Sequence, residues 1–279
     1  MVPSSSGAVV RFTVATFVWT WLWWGLTIGL LRVNPNSSWT ILTSFLGTCG
    51  PAVVAIVFRI RLQGSRGALR SIGRSLRPRG SRWAWVLLST AVVGVVGVAR
   101  AAHQAFAGSP PEAPALWFII PALVAMAIVG GGQEEIGWRG VLQPALTWHL
   151  GRWAGAVLAG VVWFCWHLPL WWTPGAVQQH IPMAAFAAFC IGFSLLVQRG
   201  FEVTGGSVLL AVWLHALNNA SAVWLVFYSS ASNQPPIGSW VLGTAYLAVG
   251  IVVMMARYGG ESTNSGASAE TTRDCRSVD

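Results

Sequence analysis

Eight runs of predominantly apolar residues recur along the chain, at 12–31, 39–58, 83–99, 116–133, 154–172, 182–198, 206–228 and 239–256. Each is close to the length of about twenty residues that crosses a bilayer as a helix. No other feature constrains the fold as strongly. In hydrocarbon every backbone N–H and C=O must be satisfied within its own segment, so this pattern specifies membrane-spanning helices. The expectation is an all-α, polytopic membrane protein of about eight transmembrane helices, forming one domain over residues 1–258. The last stretch, GGESTNSGASAETTRDCRSVD at 259–279, has too little apolar surface to bury and reads as a disordered tail. Only Arg11 precedes the first run and no A-x-A site follows it, so that run is a retained span and not a cleaved signal peptide.

Composition agrees, with 54% hydrophobic and 9% charged residues. The formal charge of +9 raises the question of nucleic acid, and the position of the charges answers it. All seventeen basic residues are arginine, and eight of them (59, 61, 66, 70, 74, 77, 79 and 82) sit between the second and third runs. Membrane topology and anionic lipid headgroups at 59–82 account for them, whereas a nucleic-acid partner needs a folded binding module and none is evident. If that segment is cytoplasmic, fifteen arginines lie inside and Arg32 and Arg100 outside, which places both termini in the cytoplasm and the chain in the cell membrane. A chain with no lysine, rich in Ala, Gly, Val and Trp, suggests a GC-rich bacterial genome. Cys49, Cys165 and Cys190 lie in apolar runs and read as packing residues, and Cys275 does not form a prenylation box.

Ionised groups at mid-span are costly and mark function by default. Few are available here. No aspartate precedes Asp274, and Glu112 and Glu202 fall in loops, which leaves Glu134 and Glu135 in GGGQEEIGWRG as the acids at the edge of the apolar body. On a helix Glu135 and Arg139 stand four apart in the favourable order for an ion pair, and Glu134 points about 100° away. Glu135 and Arg139 are therefore assigned to structural support and Glu134 to chemistry. His103, His149 and His180 fall in loops or at interfaces, so His167 and His215 are the span histidines. Trp163 and His167 share a face, as do His215 and Asn219, with Asn218 beside them. With a rise of about 1.5 Å per residue, His167 lies roughly 20 Å deep, His215 roughly 14 Å, and Glu134 near the surface. Tilt of the spans relieves that mismatch, as does continuation of the span holding Glu134 as helix past Arg139, since EEIGWRGVLQPAL stays apolar until the 149–153 turn, and the polar cavity is expected to open to the cytoplasm. Gly130 to Gly132 read as close helix packing or a hinge, since adjacent acids would repel a phosphate. The many tryptophans read as interface belts and packing.

These residues carry a resemblance. Glu134-Glu135-x-x-x-Arg139-Gly140, an aromatic-x-x-x-His in WFCWHLP, and His215-x-x-x-Asn219 resemble, in order, the three motifs of the CAAX protease and bacteriocin-processing (CPBP, or abortive-infection) family, over about 120–225. Trp163 takes a slot usually held by phenylalanine. The resemblance implies an intramembrane endopeptidase acting on a peptide or a membrane-anchored protein near the cytoplasmic face. It implies that Glu134 activates a water with help from His167, while His215 and Asn219 hold the scissile carbonyl and its oxyanion. A carboxylate sheltered from bulk water is the better base, and neutral donors aimed at an oxyanion are worth several kcal/mol in a dry site. A rival version places zinc on Glu134, His167 and His215, and the sequence leaves the two open. The absence of H-E-x-x-H, of a membrane aspartate and of G-x-S-G excludes site-two, presenilin-like and rhomboid proteases. A non-proteolytic binding or immunity protein on the same scaffold is the alternative. A proton-coupled transporter is disfavoured because no broken-helix repeat is visible.

Overall fold

A computed structural model describes residues 6–34, 37–107, 116–224 and 236–256. The tail at 259–279, Glu112 and Cys275 lie outside the described residues, as does the end of the seventh run. Among the described residues the chain is helical throughout, with no strand. Helices α1 (Ser6–Val33), α2 (Trp39–Thr48), α3 (Gly50–Ser75) and α4 (Arg82–Ala107) lead into α5 (Ile119–Ile128). A compound helical segment follows: a 3-10 turn over Gly132–Glu134, one α turn α6 (Glu135–Gly137), a π-helix over Trp138–Leu142, and α7 (Gln143–Leu150). Then come α8 (Arg152–Trp166), 3-10 turns over Leu168–Trp172 and Val177–His180, α9 (Met183–Val203), α10 (Val208–Trp224) and α11 (Ile237–Met255).

Six helical stretches are long and apolar enough to cross a membrane, and a seventh is added if α2 and α3, bent by 52° at their junction, form one span. The described part of α10 is a shorter apolar helix. The protein is an all-α polytopic membrane protein, and the segment boundaries differ from the sequence expectation in three places. First, residues 134–150, counted as a connection unless the fourth helix extends past Arg139, do continue that span, so that Ile119–Leu150 is one long helical path with Glu134 at its middle. This removes the depth mismatch among Glu134, His167 and His215. Second, the arginine-rich stretch is not a loop, since α3 runs to Ser75 across a kink at Gly64 (φ 70°). Arg59 is buried there. Third, α4 extends to Ala107, which puts His103 inside a helix, buried, and not in a loop.

Small residues set the closest helix crossings, as expected where apolar lipid offers no hydrophobic drive between helices. A Cβ on Gly192 of α9 would collide with the backbone of Tyr246 and Leu247 in α11, and one on Gly160 of α8 would stand 2.6 Å from Ile191 Cα. Helix α9 is therefore gripped on two sides and is buried along most of its length. Around it Trp138, Trp163, Trp166, Phe193 and Tyr246 form an aromatic core, each at most 2% exposed. These tryptophans are thus packing residues of the interior.

Candidate active site

Two local breaks in helix geometry build the site, and both follow from proline. Pro144 lacks the N–H that an α-helix would offer to the Gly140 carbonyl. The helix widens to π over Trp138–Leu142, and Arg59 reaches across from α3 to donate from Nη2 to that carbonyl at 2.8 Å. Pro169 ends α8 in the same way. The His167 N–H turns to Phe164 O at 3.0 Å, and the freed Trp163 carbonyl accepts from His167 Nδ1 at 2.8 Å. A carbonyl only accepts, so the proton sits on Nδ1 and Nε2 of His167 is left as an acceptor.

Glu134 and Glu135 diverge as their spacing requires. Glu134 is 4% exposed, and its Oε2 accepts from two indoles, Trp138 Nε1 and Trp163 Nε1, each at 3.1 Å. Among the described residues no side chain or backbone group donates to its Oε1. Glu135 is fully buried. Its Oε1 accepts from Arg139 Nη1 at 3.1 Å and from His215 Nδ1 at 2.7 Å, and its Oε2 lies 3.1 Å from the same Arg139 nitrogen. Arg139 also donates from Nη2 to Ser194 Oγ at 3.0 Å and lies over the Trp163 ring, 5.1 Å from its centroid. Glu135 is therefore more than one half of an ion pair, because it also fixes the imidazole of His215 and leaves that ring's Nε2 free.

Asn219 donates from Nδ2 to Gly130 O at 2.6 Å and accepts from Asn218 at 2.9 Å, and Asn218 accepts from Tyr246 Oη at 2.7 Å. This chain ties α10 and α11 to the turn ahead of Glu134. The turn itself needs glycine. Gly131 has φ 117°, and a Cβ there would stand 2.5 Å from His215 Nε2 and 3.0 Å from Asn219 Nδ2. The Gly130 to Gly132 stretch is thus a close approach of backbone to the site.

Glu134, His167, His215 and Asn219 all line one cavity of about 560 Å³, together with Trp163, Gly130 and Asn218. Glu135 and Arg139 stand behind it. The residues offered for zinc do not fit a metal ion. Among the described residues no three of His, Cys, Asp and Glu are grouped closely enough to hold one. Spacing alone reaches Trp138, which is four residues after Glu134 as Arg139 is after Glu135. Ser194, Gln143, Gln198 and Arg59 gave no such signal. Gln143 and Gln198 bond each other at 2.7 Å, and Gln198 continues to Glu202 at 2.9 Å. They extend a buried polar ladder from Arg139 and Ser194 to the helix ends. Their partners are distant in sequence, so only the fold brings them together.

A bundle of membrane helices enclosing a fixed carboxylate and two tethered imidazoles defines the class: a polytopic membrane protein with a polar cavity inside its helical core. Residues 115–221 match the family model described as type II CAAX prenyl endopeptidase Rce1-like, which places this stretch in the CPBP family. The matched segment holds every residue of the cavity's carboxylate and imidazole set, and it is a domain of a membrane protease family. No curated protein matches the chain.

Proposed function

We propose that the chain is an intramembrane endopeptidase in which Glu134 activates the water that attacks a peptide bond. The carrying observation is the cavity itself, onto which Glu134 and the two histidines open while each histidine is anchored through Nδ1. A water between Glu134 Oε1 and His167 Nε2 meets two acceptors, one for each proton, which turns its lone pairs toward the substrate. Glu134 takes one proton as the water oxygen bonds to the carbonyl carbon, and the carbonyl π pair moves onto its oxygen. His215, with Glu135 holding Nδ1–H and a proton on Nε2, donates to that oxyanion. The second amide N–H of Asn219 is the other donor. Each donor in such a dry site contributes about 3 kcal/mol to the transition state. Collapse of the intermediate breaks the C–N bond, and the proton on Glu134 passes to the leaving amine.

Reconstituted protein incubated with a panel of membrane-anchored peptides tests the reading. Wild type cleaves, whereas Glu134→Gln, whose amide oxygen still accepts from both indoles, folds and does not. Cleavage by Glu134→Gln and His167→Ala at the wild-type rate would sink the assignment. The same panel measures peptide capture by Glu134→Gln, which separates catalysis from binding alone.

A further inference from the structure

The sequence expectation put the mouth of the cavity on the arginine-rich side, and the fold puts it at the other end. One end of the bundle is fixed by Arg152 of α8 paired with Glu202 of α9 at 2.6 Å and by Arg199 donating to Ala256 O at 2.7 Å. The turn between α3 and α4 joins the same end, because Arg79 donates to Gly205 O at 3.2 Å and Ser207 Oγ to Arg77 O at 3.0 Å. From there α8 runs away to Trp166 and α9 returns from Met183, so the segment 167–182 caps the opposite end. The cavity is lined by His167, Leu170, Val177, Gln178 and Ile181 from that cap. A neighbouring cavity of about 720 Å³ shares Thr48, Val129, Leu170 and Gln178 with it and continues between α2 and the cap to Leu31 and Pro174. On the arginine-rich side the way is shut by packed groups: Arg139, Leu142, Gln143, Ser194 and Gln198 are all at most 3% exposed.

We infer that the site is served from the membrane face opposite the arginine-rich end, and that its substrates are extracytoplasmic, membrane-proximal segments of membrane-anchored polypeptides. The positive-inside rule makes the arginine-rich end cytoplasmic, and the connected cavities then open outward. Among the described residues their walls carry Thr, Leu, Val, Trp, Pro and Gln and no acid or arginine outside the site itself. They suit an extended, uncharged stretch of chain entering beside an anchor helix, and a cytoplasmic tail does not reach them. The substrate class rests on the endopeptidase reading, but the side of the mouth does not.

Two experiments keep those apart. In full-length protein with Cys49, Cys165, Cys190 and Cys275 changed to Ala, single cysteines are placed by Val177→Cys in the cap and Ser65→Cys in α3. Intact cells are treated with a membrane-impermeant maleimide before and after permeabilisation. Val177→Cys labels equally in both conditions, and Ser65→Cys only after permeabilisation. The reverse pattern, or labelling of Val177→Cys only after permeabilisation, overturns the inference. The second experiment carries one peptide on the outer or the inner side of a single-pass anchor. Cleavage confined to the outer display, abolished by Glu134→Gln, is expected, and cleavage confined to the inner display overturns the substrate class. If neither display is cut while Val177→Cys labels from outside, the outward mouth stands and the endopeptidase reading, with the substrate class that depends on it, falls.

Discussion

Glu135→Gln separates the structural and chemical duties of the buried cluster. The carboxylate serves two donors, Arg139 and His215, through an oxygen 3.1 and 2.7 Å away, and Arg139 is 1% exposed. Glutamine keeps the shape but removes the charge, which leaves the guanidinium with Ser194 and two aromatic faces as its remaining support. Breaking a buried pair by removing one partner costs about 3–5 kcal/mol. The amide oxygen still accepts one hydrogen bond, worth about 1 kcal/mol, so a net loss of roughly 2–4 kcal/mol follows. That is large for a single substitution and is read as a lower unfolding midpoint in detergent. Activity falls further, because His215 Nδ1 keeps only an uncharged and weaker acceptor, and misplacement of a catalytic group by about 1 Å costs about 10²-fold. The double variant Glu135→Gln/Arg139→Met decides between the two effects. With both charges gone the buried cation is no longer stranded and stability recovers toward wild type, while cleavage stays low because the uncharged amide is a weaker acceptor for His215 Nδ1 than the carboxylate. Restored cleavage in the double variant, or an unchanged midpoint in the single one, would refute the reasoning.

Gly131→Ala forces a side chain into a positive-φ position and against His215 and Asn219; a cost of about 1–3 kcal/mol and near-complete loss of cleavage are expected, checked by the same melting and peptide assays. Gly192→Val drives a branched side chain into the α11 backbone and should lower the unfolding midpoint and the yield of monodisperse protein without touching the cavity. The donor geometry predicts that exhaustive chelation leaves cleavage unchanged, measured on protein whose metal content is verified; loss of activity that zinc restores would contradict it.

The divergence of Glu134 from Glu135 was legible because it depends only on helical periodicity, a local property. The same holds for Glu135 with Arg139. The helicity of residues 134–150 was legible only as one of two ways to reconcile the depths of Glu134 and the histidines. Glycine, proline and charge there imitate a loop, and only the interior contacts of Arg139, Gln143 and Leu142 keep the segment helical at depth. Arg59 was misread for a related reason: an arginine among exposed arginines carries no mark of the Gly140 carbonyl it reaches 81 positions away.

The sequence by itself determined that this chain spans a membrane as helices, which residues are candidates for chemistry, and which end of the bundle is rich in arginine. Hydrophobic run length, helical phase and charge counting are properties of neighbours along the chain. Tertiary structure alone decided what those residues face. It gave Glu135 to His215 as well as to Arg139, set two indoles on Glu134, closed the arginine-rich side with a packed polar ladder, and turned the cavity toward the cap at 167–182. Those outcomes depend on how far one helix slides and turns against another, and that is set by steric contacts between residues remote in sequence.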